Sequence, residues 1–235
     1  MKRILTDQET ASELTDLLSK FRRFKTFSAN RKAAFKFVEL LGIRICPYCN
    51  INYTYTVIPR KGKLVLRCDI DHFEAQIHAK RKSLLFENLV PSCQQCNSRL
   101  KLAKRFSEAT HVNPHRESFD DFKRIDLSLN HVGYLKPTAF EIVFRRRNLV
   151  KKKDDRRADA NVRAFKLKER YAMHKPEVLD LLRQLKFYHS VRLEEIRRLA
   201  HIGGALDLAL FGPPIEDVDS VSLGKLQRDL LATYR

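Results

Sequence analysis

The chain has 235 residues, with 46 Lys and Arg against 28 Asp and Glu, a formal net charge of +18. That length can bury a real core in one compact domain or two small ones, and 43% apolar residues with 15 Phe exclude a disordered chain. No run approaches the roughly 18 apolar residues of a membrane helix, no GxxxxGK or GxGxxG loop is present among the seven Gly, and the charge excess points to a polyanionic partner, nucleic acid before anionic membrane.

In chain order, the start Met1-Lys2-Arg3-Ile4-Leu5-Thr6-Asp7 carries no hydrophobic signal region, so a cytoplasmic protein is expected. Leu14, Leu17, Leu18, Phe21 and Phe24 fall at helical spacing, with Thr10 and Glu13 as a capping box at the start. A second helix is expected from about Ala29 to Leu41, ended by Gly42. Residues 51–58 then alternate, with Ile51, Tyr53, Tyr55 and Val57 on one face. Arg60-Lys61-Gly62-Lys63 reads as a turn and Leu64-Val65-Leu66 as the returning strand. A short helical piece is expected around His78–Phe86, a strand stub at Leu89-Val90, and a helix from Gln94 toward Phe106. Residues 110–134 look polar and irregular, and Ala139–Phe144 looks like a strand. From Ala158 the signal is helical. Pro176 opens one long helix that Gly203-Gly204 closes, and Leu223–Tyr234 forms a last one. Residues 145–157 hold eight Lys and Arg against two Asp, a net +6. Such a run is either a solvated loop or a phosphate-contact surface.

The cysteines carry more specific chemistry. Cys46-Pro47-Tyr48-Cys49 and Cys93-Gln94-Gln95-Cys96 are two CxxC knuckles. Two residues between thiolates let both sulfurs reach one ion at about 2.3 Å, and two knuckles close a tetrahedral shell, the pattern of structural Zn2+. Redox chemistry would need a single CxxC on a thioredoxin-like unit, and an iron–sulfur cluster a ferredoxin-like spacing. Cys68 is left over and reads as a small buried strand residue. The 43 residues between Cys49 and Cys93 carry a polar constellation of their own. It comprises Asp71-His72-Phe73, Asn88, and Asn97 directly after Cys96, with Lys101 on the same helix. The second knuckle ties the start of the Asn97 helix to the first. Asp71 and Asn97 are then expected to offer oxygen to one hard cation, Mg2+ or Mn2+, with His72 beside it as a general base.

The order CxxC…DH…N…CxxCN…K resembles the HNH endonucleases, the ββα-metal nucleases, in the subgroup with a four-cysteine zinc site. The motifs are Cys46-Pro47-Tyr48-Cys49, Asp71-His72-Phe73, Asn88-Leu89-Val90-Pro91-Ser92-Cys93 and Cys96-Asn97-Ser98-Arg99-Leu100-Lys101. The match covers residues 46–101. Asn113-Pro114-His115 and Tyr171-Ala172-Met173-His174 are similar to segments of bacterial HNH proteins that serve anti-phage defence beside an ATPase, as in Septu and some retrons. The resemblance implies an α+β fold: a ββα-metal core with the four-cysteine zinc site (46–115), an N-terminal helical segment (1–45) and a basic, mostly helical C-terminal region (116–235). It implies metal-assisted hydrolysis of nucleic-acid phosphodiesters, DNA before RNA. His72 would be the base, Asn88 the brace of its loop, and Asp71 with Asn97 the Mg2+ ligands. Arg99, Lys101, Arg145, Arg146, Arg147, Lys151, Lys152 and Lys153 would contact the phosphate backbone. At residues 74–76 the chain has Glu-Ala-Gln where many relatives carry Pro and Lys. The competing expectation is a catalytically silent, zinc-stapled nucleic-acid-binding or adaptor module. His78, His111, His115, His131, His174, His189 and His201 show no partner spacing and are expected to be structural or exposed.

Overall fold

The structure is a computed structural model that describes residue 4 and residues 7–57, 66–129, 136–188, 190–200 and 221–234. It is a mixed helix-and-strand fold with two small antiparallel sheets among the described residues. No described helix is long and apolar enough to cross a membrane.

The N-terminal helices form as expected, with shifted ends. Helix α1 spans Gln8–Ser19 and is capped by the Asp7 carboxylate, which accepts from the Thr10 backbone N–H at 2.7 Å. The cap therefore lies one turn before the expected Thr10–Glu13 box. Phe24 lies on a separate helix, α2 (Phe24–Ala29), because the chain folds back through residues 20–23 to bring Phe21 and Phe24 onto Phe27, at centroid distances of 5.5 and 5.9 Å. Helix α3 (Arg31–Leu41) starts at an Asn30 cap and stops at Gly42, whose φ of 60° suits a residue without a side chain.

The expected 51–66 hairpin is reduced to isolated pairings, Ile45 with Tyr53 and Val57 with Leu66, and its turn at 60–63 lies outside the described residues. Of the strand expected at Leu64-Val65-Leu66, Leu66 is described and pairs with Val57, and a further strand begins beyond it. Strand β1 is Asp69–His72, and it pairs antiparallel with β2 (Leu89–Ser92), His72 opposite Leu89. Short 3₁₀ turns at Lys80–Lys82 and Phe86–Asn88 join them. A π-wound helix, Gln95–Lys101, follows immediately. It closes with a bond from Leu102 N to Asn97 O and ends at Leu102, short of Phe106.

Residues 110–134 are not wholly irregular. A one-turn helix α4 (Phe119–Phe122) leads into β3 (Lys123–Leu129), paired along its length with β4 (Phe140–Arg146). Charged residues in β3 hide its strand pattern in the sequence, yet they are partnered. Lys123 Nζ lies 2.7 Å from Asp159, and Asp126 holds Arg145 at 2.8 Å. Helix α5 begins at Lys152 rather than Ala158 and runs to Ala164, so the basic block is a strand end (145–146), a short connection (147–151) and the first helical turns. Helix α6 is Leu167–Ala172. The long helix expected from Pro176 is two helices, α7 (Lys175–Phe187) and α8 (Ser190–Ala200), broken at Tyr188 (φ −105°, ψ 51°). Its expected end at Gly203-Gly204 lies outside the described residues. The C-terminal helix is Gly224–Tyr234.

One apolar core threads all of this. It joins Leu14 and Leu18 of α1, Phe27 and Phe37, Ile70 of β1, Leu89 and Val90 of β2, Ile125 and Phe140 of the second sheet, Phe165, Tyr171 and Leu230.

Candidate functional site

The four knuckle cysteines converge. Their sulfurs all lie within 4.8 Å of one another, and Cys49 Sγ is 4.0 Å from Cys93 Sγ. A tetrahedral zinc with sulfurs at about 2.3 Å sets them about 3.8 Å apart, so the group fits such an ion and could hold it. Each knuckle is a tight turn. Asn50 N bonds Cys46 O at 2.8 Å and Asn97 N bonds Cys93 O at 3.0 Å. Asn50, at φ 54°, turns the chain back so that Cys46 N can pair with Asn52 O. Two side chains then donate to the sulfurs: Asn52 Nδ2 to Cys93 at 3.3 Å and Arg170 Nη1 to Cys96 at 3.2 Å. Burial opposes the charge on Arg170, but the thiolates of Cys49, Cys96 and Cys93 outweigh it and hold its pKa above the ordinary value. An arginine facing four sulfurs offsets part of the negative charge that a zinc–thiolate centre would carry. Tyr171 Oη donates to Cys49 O at 2.9 Å, and the Phe165 ring stacks on Tyr48 at 4.5 Å. None of these three partners from α6 and its approach is visible in the sequence, since they lie far along the chain from the knuckles. Cys68 stands outside the cluster, half-buried, with burial pushing its thiol up to about 12.

The polar constellation occupies the strand beside this cluster. Successive residues of β1 point to opposite faces. Asp69 and Asp71 share the face toward the cysteines and the π-wound helix. His72 lies on the other, under α2, with its ring 4.2 Å from that of Phe24. Asp71 is 4% exposed. Its Oδ2 accepts from Tyr48 Oη at 2.7 Å, and its Oδ1 from Lys101 Nζ at 3.1 Å. Lys101 has no exposed surface and also donates to the His72 carbonyl. Burial, only partly countered by Lys101 and Tyr48, raises the Asp71 pKa. Burial and the Asp71 charge raise that of Tyr48. Asn97 does not face Asp71. Its Nδ2 donates to Asp69 Oδ2 at 3.1 Å, and Ser98 Oγ donates to the same oxygen at 3.0 Å. The pair expected to share a divalent cation is thus arranged otherwise. An ammonium already neutralises Asp71, and the carboxylate beside Asn97 is Asp69. As arranged, these residues do not fit Mg2+ or Mn2+ between Asp71 and Asn97. Alternation from Asp71 would have found Asp69, had the strand been placed at 69–72.

His72 and Asn88 are brought together through their loop. His72 Nε2 lies 3.0 Å from Ser83 O. A carbonyl only accepts, so Nε2 carries the hydrogen, and in the neutral ring Nδ1 keeps the lone pair. Burial lowers the His72 pKa, more than Ser83 raises it. Asn88 is buried. Its Oδ1 accepts from Glu74 N at 2.7 Å, and its Nδ2 donates to Glu74 O at 3.2 Å and Lys82 O at 3.1 Å. It therefore clamps both ends of the loop that carries Ser83, and Glu74 of the departing 74–76 stretch adds an ion pair to Lys82.

The basic residues divide. Arg99 is exposed at the helix beside the cluster, whereas Lys101 is buried against Asp71 and offers nothing to a ligand outside. Arg145 is drawn to Asp126 and Arg147 to Asp120 at 2.9 Å, because β3 and α4 bring those acids alongside. Arg146, Lys151, Lys152 and Lys153 remain exposed. His115 is buried, with Nε2 3.0 Å from Leu89 O. His111 stacks on Phe106 at 3.6 Å, and His174 pairs with Glu177. His131, His189 and His201 lie outside the described residues. Comparison with family models, with curated proteins and with solved structures yields no match to this chain.

Proposed function

We propose that this chain is a nuclease of the HNH kind, hydrolysing phosphodiester bonds of nucleic acid, DNA before RNA. The observation that carries the reading is His72. Its imidazole is held by the Ser83 carbonyl at one nitrogen and kept neutral by burial, with Nδ1 as the basic atom. A β1–β2–helix unit and a buried four-sulfur group adjoin it. In the proposed reaction, His72 Nδ1 takes a proton from water as the water oxygen bonds to phosphorus. The P–O3′ bond breaks and the leaving oxygen is protonated from solvent, giving 5′-phosphate and 3′-hydroxyl ends. Asn88 positions the loop that fixes the imidazole. The cations Arg99, Arg146 and Lys151–Lys153 supply phosphate contacts. Such nucleases employ a divalent cation to stabilise the phosphorane charge. In this chain Lys101 occupies Asp71, the carboxylate that would be its ligand.

That same ion pair favours the second reading, a silent nucleic-acid-binding or adaptor module. One assay separates them. Purified chain is incubated with plasmid, single-stranded DNA and total RNA, with and without Mg2+ or Mn2+, and product ends are read. Cutting by wild type that His72→Ala abolishes at unchanged zinc content supports the nuclease. Equal behaviour of the two proteins removes His72 as the base. Exposed Phe187, Val191 and Leu199 on α7 and α8 support a partner protein there, which we propose to be an ATPase of a defence complex. Co-purification from the native operon tests this.

A further inference from the structure

Residues 51–57 leave the first zinc knuckle as an extended arm held on one edge. Thr54 N donates to Arg44 O at 2.8 Å, Thr54 Oγ1 to Ile43 O at 3.0 Å, and Val57 bridges Leu66. Alternation then decides what faces water. Thr54 is 1% exposed, whereas Tyr53 and Tyr55 are 52% and 54% exposed, their ring centroids 5.9 Å apart and tilted by 48°. Val57 and Leu66 extend the same exposed stripe. Exposed apolar side chains scattered singly carry no message, but a contiguous aromatic stripe does. Its charge setting chooses the ligand. The chain as a whole carries a net charge of +18. Arg44, antiparallel to the arm, is exposed. Exposed rings beside a cation, on a strongly basic chain, are what an unpaired nucleic-acid strand needs: π-faces for successive bases and charge for the phosphates. A duplex keeps its base faces stacked inside and gives such rings nothing to hold.

We propose that Tyr53 and Tyr55 form a base-stacking platform that binds single-stranded nucleic acid in preference to duplex. The inference concerns binding and goes beyond the proposed cleavage.

The test uses the full chain without added divalent ion. The probes are a fluorescein-labelled oligothymidine of about 20 nucleotides and a duplex of about 20 base pairs, read by anisotropy. The expected result is that Tyr53→Ala/Tyr55→Ala weakens oligothymidine binding about 10-fold or more and changes duplex binding less than about 2-fold. Tyr53→Phe/Tyr55→Phe, which keeps both ring faces, is expected to bind as wild type. Seven Tyr and no Trp make intrinsic tyrosine emission a second readout, quenched by oligothymidine in wild type and less so in the Ala variant. Unchanged oligothymidine affinity in the Ala variant overturns the proposal, and so does an equal loss on both probes. A docking site for protein gives the first of these outcomes. If the Ala variant misfolds, the Phe variant decides, since loss of binding with both rings intact refutes stacking. His72→Ala run in parallel is expected to bind normally, so failure of cleavage and failure of the platform are told apart.

Discussion

Lys101 sits with its ammonium between the Asp71 carboxylate and the His72 carbonyl, and it has no exposed surface. Removing one partner of such a pair leaves a charge with neither water nor counter-ion. Lys101→Met is therefore expected to cost about 3–5 kcal/mol of folding stability. Adding Asp71→Asn should return most of that, because the stranded charge goes with it. Urea unfolding of the two single variants and the double variant closes the cycle, and additive losses would show that the pair is not coupled. At His72 the sign runs the other way. Burial lowers its pKa, so the neutral, basic form persists to lower pH than for a free imidazole of about 6.5. Cleavage is expected to stay flat from about pH 8 to about pH 6.5 and to fall only below that, with the slope of one proton. A rate already halved near neutral pH would mean that His72 is not the titrating base. Glu74, one of the residues at 74–76 where the sequence departs from the resemblance, serves the loop, through its backbone on Asn88 and its carboxylate on Lys82.

The β1–β2 pair is the element on which these residues depend, and it is held from behind by the buried His115, whose Nε2 donates to the Leu89 carbonyl. Burial pushes the His115 pKa down to about 4. The unfolded chain therefore takes up the proton more readily than the native one. The stability from this neutral imidazole is fully present above about pH 6.5 and is lost as pH falls toward about 4, a span worth about 3 kcal/mol. His111 contributes a slope of the same sign, so His115→Gln measured against wild type isolates the first. The variant should lose less stability than wild type between about pH 7 and about pH 5. The elements also show what a sequence can tell. Helix α3 was legible because its apolar stripe and its Gly42 stop agree, while its Asn30 cap emerged only in the structure. The cysteine group was legible because ligand chemistry fixes spacing. Strand β1 was misplaced because Asp69 and Asp71 interrupt any apolar pattern, and their partners Asn97, Ser98, Tyr48 and Lys101 come from 23 to 30 residues away. Strand β3 was missed for the same reason, since Lys123 is satisfied by Asp159 of α5, and Asp126 by Arg145 of β4 and Tyr234 of the C-terminal helix as well as by Arg124. The expected Asp71–Asn97 meeting failed for want of register information: along the same face, Asn97 meets the carboxylate two positions earlier.

At the scale of the molecule, the four sulfurs tie together more than their own knuckles. Asn50, directly after Cys49, accepts from Lys225 N with its Oδ1 at 2.9 Å and from Leu223 N with its carbonyl at 2.8 Å, and so caps the C-terminal helix. That helix is in turn locked to the second sheet. Lys225, with no exposed surface, bonds Asp120 and also Asp229 at 2.8 Å, and Asp229 accepts from Ile125 N at 2.7 Å. Arg170 and Tyr171 bring α6 onto the same knuckles. The first knuckle thus joins Asn50, Tyr171 and Lys225, and through Asp229 reaches Ile125, and the contacts at Asn50 and Tyr171 need the knuckle in its folded shape. A structural zinc supplies an apparent binding free energy of about 10–16 kcal/mol, comparable with the whole stability of a domain. Chelation should therefore not fray a local loop but unfold the chain in one transition, the C-terminal helix included. The expected result is one zinc released per chain, a single coincident loss of helical signal and of protease protection at residues 222–234, and recovery of both on adding Zn2+. Arg170→Leu, which leaves the sulfurs without their cation, should weaken zinc retention about 10- to 100-fold in a competition titration while the loaded protein keeps its fold. A chain that gives up its zinc yet still protects the C-terminal helix would show that the two ends are joined by the apolar core and the Asp120–Lys225–Asp229 network alone, and that the sulfur group staples only itself.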